Sequence, residues 1–316
     1  MDLNLPIVER LRGCRSVLVA GMGGGYDVFC GLPLYLELQV RGFDVHLANY
    51  SFSDIRGASH GIRLSQTQVG VLADHEDIYP YFPEYHLAWW FLKQRGVRVP
   101  IWCWHKVGPQ RLAEDMAALQ RHLSLDAVVL VDGGVDSLLR GDEAELGTLV
   151  EDAITMHALT QVPGLSVRLM ACIGLGAERS ITYAQIFENI AGLTRDGAFL
   201  GSCALTAQMD CGAAYIDAVL YAQAQRLSDP SVINSSIVSA LQGEFGNWHL
   251  TRKTHGSSLW ISPLMPLYWF FEFDAVVRRS HCLQELAGAV TFRDALAALS
   301  DFTSRLPQRP GTRVPL

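Results

Sequence analysis

The stretch "SVLVAGMGGGYDVFCGLPLYLELQVRGFDVHLAN", Ser16 to Asn49, decides the fold. Ser16–Ala20 is an unbroken apolar run of strand length, as expected for a strand buried on both faces. A glycine-rich turn follows. Asp27–Arg41 then carries a helical pattern that Gly42 stops, and Asp44–Asn49 is a second strand. Two buried strands joined by a helix run parallel, and the crossover is right-handed.

The same alternation continues downstream. Helices are expected at Glu84–Arg95, Pro109–His122, Glu145–Leu159, Ile181–Leu193 and Gly212–Arg226. Strands are expected at Val99–Trp104, Asp126–Val131, Val167–Ile173 and Ala198–Cys203. Residues 1–300 therefore read as one α/β domain, with a mainly parallel, doubly wound (Rossmann-like) sheet and helices on both faces. Residues 50–85 are polar and aromatic with little periodicity, and are expected as a lid-like insertion over one sheet edge. Residues 301–316 read as a flexible tail. The aromatic region 259–273, "LWISPLMPLYWFFEF", suits core or a homodimer interface.

Composition narrows the function classes. The chain has 316 residues, 49% hydrophobic and 18% charged, so it can bury a sizeable core. Its net charge is −7 and its basic residues are scattered, which argues against a phosphate-reading nucleic-acid face. No apolar stretch approaches the roughly 20 residues of a membrane span. The first residues, "MDLNLPIVERLRGCR", lack the basic and apolar regions of a signal peptide. Seven cysteines without metal-ligand spacing fit buried thiols in a reducing cytoplasm.

In an open parallel sheet, ligands bind outside the carboxyl ends of the strands. Four strand ends carry the chemistry. The first is "GMGGGYD", where Gly21, Gly23, Gly24 and Gly25 allow close backbone approach to a ligand and Asp27 opens the next helix. It breaks the dinucleotide fingerprint at Tyr26 and lacks the lysine of a phosphate-binding P-loop. Asn49 ends the second strand nearby. The third strand runs into "HKVGP", where His105 can titrate near neutrality and Lys106 can attract an anion.

The fourth strand empties into "DGGVDSLLRGDE". Here Asp132 and Asp136 are candidate acid–base groups, Gly133 and Gly134 allow close approach, and Arg140 is a candidate anion ligand. Asp142 and Glu143 read as helix-start charges. Asp27, Asp132 and Asp136 together suit Mg²⁺ or Ca²⁺, or a division into general acid and base. Gly174 and Gly176 belong to a further ligand loop, "GLGAERS", in which Glu178 and Arg179 can pair with each other. His157 reads as a packing histidine.

"GMGGGYDVFCGLPLYLELQVRGFDVHLANYSFSDI" and "VLVDGGVDSLLRGDEAELGTLVEDA" together resemble an uncharacterised family of archaeal and bacterial proteins, a DUF1152-like domain of unknown function. The similarity runs from about Ser16 to Leu299. It implies an α/β fold and marks both loops as a shared signature, but implies no catalytic residue. The residues themselves point to an enzyme acting on a small polar metabolite bearing ribose or phosphate, by carboxylate- or metal-assisted hydrolysis or group transfer. A nucleotide-like ligand-binding module without turnover, and a nicotinamide-dependent oxidoreductase, are the alternatives.

Overall fold

The computed structural model describes residues 6–58, 61–74, 79–143, 149–178 and 181–311. Its strands are β1 Ser16–Gly21, β2 Asp44–Tyr50, β3 Ile62–Ser65, β4 Gln68–Val71, β5 Ile101–Trp104, β6 Ala127–Gly133, β7 Val167–Ile173, β8 Phe199–Ala204, β9 Gly246–Asn247, β10 Trp260–Ile261 and β11 Leu267–Glu272. Its α-helices are α1 Asp27–Val40, α2 Pro83–Arg95, α3 Pro109–Leu123, α4 Leu149–Thr160, α5 Tyr183–Arg195, α6 Asp210–Gln223, α7 Val232–Leu241, α8 Phe273–Arg279 and α9 Phe292–Arg305.

Nine strands form one sheet in the order β3-β4-β5-β2-β1-β6-β7-β11-β8, and β9 pairs with β10 separately. The central five, from β5 to β7, pair in parallel. They are the five apolar runs expected as the first five strands, and every residue of β1, β5 and β6 is buried. One apolar layer lies on each face of the sheet. Val17 and Val19 pack with residues of α1, α2, α6 and α7, whereas Leu18 and Ala20 pack with residues of α3, α4, α5, α8 and α9. That period of two across a strand is what covered faces require.

Both flanks of the sheet contain strands that the apolar periodicity does not show. Residues 62–71 form the β3–β4 hairpin on the edge of β5, so part of the expected insertion is sheet. At the other flank β11 lies antiparallel between β7 and β8. Tyr268, Phe270, Phe271 and Phe273 are thus buried within the chain, and Trp260 and Leu264 are the large apolar side chains that region 259–273 leaves exposed.

Other expectations shift with the side-chain contacts. The beginning of the helix expected at Glu145 lies outside the described residues, as do Arg179 and Ser180. Residues 301–305 are the end of α9, so the segment expected as a tail begins inside a helix. Beyond it, Arg309 binds Asp142 Oδ1 at 2.9 Å, Glu143 Oε1 at 3.0 Å and Glu188 Oε2 at 2.6 Å. Asp142 and Glu143 are therefore a receptor for this arginine. Glu143 is fully buried and also accepts from the Arg140 and Gly141 amides and from Asn189. Arg309→Ala leaves that carboxylate without its counter-charge but with its other donors. It is expected to cost about 2–3 kcal/mol in urea unfolding, somewhat below a fully broken buried pair. No loss of stability would show that Arg309 does not hold this end of the chain.

Candidate functional site

The chain leaves β1 to build β2 and β5 on one side, then returns to build β6 and β7 on the other. The strand order thus reverses between β1 and β6, the place in an open parallel sheet where ligands bind. Gly21 at the end of β1 is level with Val131 of β6, and the Met22 amide continues the ladder by donating to Val131 O at 3.0 Å. This register brings the glycine turn and Asp132 to one place.

Asp27, Asp132 and Asp152 each present a carboxylate oxygen, and the three oxygens lie within 4.8 Å of one another. Asp27 starts α1, Asp132 is the next-to-last residue of β6, and Asp152 lies on the first described turn of α4. Thr155, one turn further along α4, donates to Met22 O at 2.9 Å and so fastens the helix to the glycine turn. Close approach explains two of the glycines. A Cβ on Gly23 would stand 2.8 Å from both Asp152 Oδ1 and Asp27 Oδ2, and one on Gly133 would stand 2.5 Å from Asp27 Oδ1.

These groups are withdrawn from water: Asp27 is 9% exposed, and Asp132, Asp136 and Asp152 are each 2% exposed. Among the described residues no lysine or arginine is ion-paired with Asp27, Asp132 or Asp152. Burial pushes Asp27 up to about 7, with its bonds from the Gly23 and Gly133 amides opposing and the charges of Asp136 and Glu151 adding. Burial, then Asp136 and Asp27, raise Asp132 well above the ordinary carboxylate range, and its bonds from Ser137 offset part of this. Asp152 is raised by burial and then by Asp136, Asp132, Asp27 and Glu178. Its Oδ1 is buried with no hydrogen-bond partner among the described residues. Such a cluster is neutralised by protons or by a cation; left fully ionised it would carry a large desolvation and repulsion penalty.

Asp136 and Glu178 complete the acidic wall. Their side chains are hydrogen-bonded to each other, and Glu178 also accepts from the Val135 amide at 2.8 Å. Gly134 lies against Glu178 and Asp132. Asp136 therefore belongs to the cluster, but the third carboxylate beside Asp27 and Asp132 is Asp152, not Asp136.

The remaining candidates divide. Asn49 is fully buried and donates to Gly25 O at 2.9 Å and to Glu84 Oε1 at 2.7 Å, so it braces the glycine turn from beneath. Gly24 and Gly25 lie under Phe52, with the Tyr81 hydroxyl beside Gly25. Two residues of that region, Phe52 and Tyr81, thus lie against the glycine turn. Gly174 adjoins Gly134, whereas Gly176 faces Met265 and Ser262. Burial and then the Arg56 charge hold His105 below its ordinary value, with the Asp54 charge and the Ser53 main chain opposing. The Arg140 guanidinium meets His281 at 2.6 Å instead of leaning over the carboxylates. Its main chain turns away to feed Glu143 two amide donors, its own and that of Gly141. His157 is a packing residue, with Nδ1 2.9 Å from Leu283 O.

No curated protein and no solved structure matches the chain. A family model described as "Protein of unknown function (DUF1152)" matches residues 90–304, more than half of the chain. That span takes in Asp132, Asp136, Asp152 and Glu178, while Asp27 precedes it. The chain belongs to this DUF1152 family of proteins of unknown function.

Proposed function

We propose that the protein is an enzyme that holds a divalent cation, Mg²⁺ or Ca²⁺, at Asp27, Asp132 and Asp152, and hydrolyses or transfers a group on a small polar metabolite bearing phosphate or ribose. The observation that carries this reading is the trio itself: three buried carboxylate oxygens within 4.8 Å of one another, one belonging to a side chain with an unsatisfied oxygen. Three oxygen ligands leave half of an octahedral shell for water and substrate, the open site that metal-assisted hydrolysis uses. Asp136 and Glu178 share a hydrogen bond beside the trio, which requires a proton between them, and this pair is the candidate general acid and base. The seven cysteines are free thiols, in keeping with a reducing cytoplasm.

The test is a panel of phosphorylated and ribosylated metabolites incubated with Mg²⁺, Mn²⁺ or Ca²⁺, with products followed by mass spectrometry. Turnover that EDTA removes and the metal restores is expected. Turnover indifferent to EDTA would end the cation reading, and metabolite binding without product would support a ligand-binding module instead. Gly23→Ala is a second probe. Its methyl group would push on Asp27 and Asp152 together, so cation affinity in calorimetry is expected to fall by about 10- to 100-fold, the scale for groups that orient metal ligands. Unchanged affinity would place the cation elsewhere.

A further inference from the structure

Lys106 is held beside the acidic cluster by one carboxylate and two aromatic rings. It follows β5, and its Nζ lies 2.8 Å from Glu151 Oε1, 4.6 Å from the centre of the Phe52 ring and 4.0 Å from the centre of the Phe292 ring. Its side chain remains one-third exposed. An ion pair that accessible adds little to stability. Two aromatic rings and one carboxylate do, however, fix the ammonium in place and strip part of its hydration, while leaving N–H donors that Glu151 does not use.

The neighbours of Lys106 connect it to the acidic pocket from two sides. Glu151 precedes Asp152 in the same turn of α4, and its charge is felt at Asp27. Phe52 overlies Gly24 in the turn that leads to Asp27. Lys106 is thus a positive charge linked through Glu151 and Phe52 to the acidic cluster. An anion bound at that cluster needs the charge there reversed, which a bound divalent cation does in part, and it needs a second positive partner beside it. A terminal phosphoryl group fits both demands: it carries two negative charges and three oxygens, so one oxygen can meet the cation while another meets an ammonium. A carboxylate has one charge and two oxygens with which to span the same two partners.

We propose that Lys106 is the anion anchor of the site and that the substrate carries a terminal phosphoryl group, bound between the Lys106 ammonium and the cation; this rests on the cation reading above. Glu151 and the two rings are positioning residues for the ammonium.

The experiment uses the full chain, Mn²⁺ as the cation and inorganic phosphate as the probe. Calorimetry measures Mn²⁺ affinity, and paramagnetic relaxation of the phosphate ³¹P resonance measures phosphate bound near the metal. Saturable relaxation is expected with the wild type. Lys106→Met is expected to keep Mn²⁺ affinity within about two-fold and to weaken phosphate by about ten-fold or more, the scale of a charge-assisted hydrogen bond. Lys106→Arg should recover most of the phosphate affinity, which a merely structural role for the side chain would not produce. Mn²⁺ binding with phosphate affinity indifferent to Lys106→Met overturns the anchor alone. Acetate competing as well as phosphate overturns the phosphoryl assignment. Failure of the wild type to take up Mn²⁺ overturns the cation site and the anchor with it.

Discussion

Asp152→Asn will weaken divalent-cation binding by at least about 100-fold, more than the loss of a ligand-orienting neighbour, and will raise the melting temperature of the cation-free protein at pH 8. Both effects come from one carboxylate. Asp152 is buried, carries an unpartnered Oδ1, and faces the charges of Asp136, Asp132, Asp27 and Glu178. Asparagine keeps the shape, removes the charge and brings an N–H₂ group that neighbouring carboxylates can accept from. Each kcal/mol of relief raises the melting temperature by roughly 1.5 °C in a chain of this length. Calorimetric titration and thermal unfolding in EDTA check the two halves. A variant that binds Mg²⁺ or Mn²⁺ like the wild type, or melts lower without metal, would show that Asp152 is structural.

The cation-free protein will lose stability as pH rises, and a saturating cation will suppress the loss. Asp27 is held at about 7 against an ordinary value of 3.8, so folding takes up a proton between those values. Its contribution is therefore full below 3.8 and is lost as pH rises to about 7, a difference of about 4 kcal/mol at 1.36 kcal/mol per unit. Asp132, Asp152 and Glu178 are also raised by burial and mutual repulsion and add to the loss in the same sense. Histidines act in the opposite sense lower down. His86, held at about 4 by burial against an ordinary 6.5, makes stability rise across that interval. Urea unfolding between about pH 6.5 and 8.5 separates the two, and one retained proton gives a fall of about 1.4 kcal/mol per pH unit in EDTA. Cation affinity should increase over the same range, because metal and proton compete for the same oxygens. Stability that is level or rising in EDTA across this window would mean that the cluster is already ionised.

Much of the fold was legible because burial on both faces leaves a plain mark, a short apolar run with no alternation. The runs at Ser16, Asp44, Val99, Asp126 and Val167 became the parallel centre of the sheet. The flanks were less legible. Strands β3 and β4 have four residues each, and Ile62 and Arg63 are exposed. Strand β11 lies in a stretch so rich in aromatics that its alternation is hidden. For the site, Asp27 and Asp132 could be placed because Asp132 closes one buried run and Asp27 opens the helix just after another. Asp152 could not. In "LVEDAITMHAL" it looks like an ordinary acidic residue at a helix start, and only the docking of α4 turns it inward. Glu178 meets Asp136, a neighbour that the sequence reading did not offer it. Arg140 shows the opposite limit: nearness in sequence to the carboxylates says nothing about direction once the chain turns at Gly141.

The placement of β11 has a consequence for the order in which the chain can assemble. Among the described residues β8 has no partner in the sheet except β11, which is made more than 60 residues later. During synthesis β2, β5, β6 and β7 can pair as they emerge, since each finds a neighbour already present. β8 must wait, and the side of β7 that β11 will cover stays open with unpaired amides and carbonyls. Such an edge is a template for joining another chain. A nascent protein arrested before Leu267 would thus hold the carboxylates from Asp27 through Glu178 yet expose a sticky flank, making the last strand inserted a safeguard against aggregation.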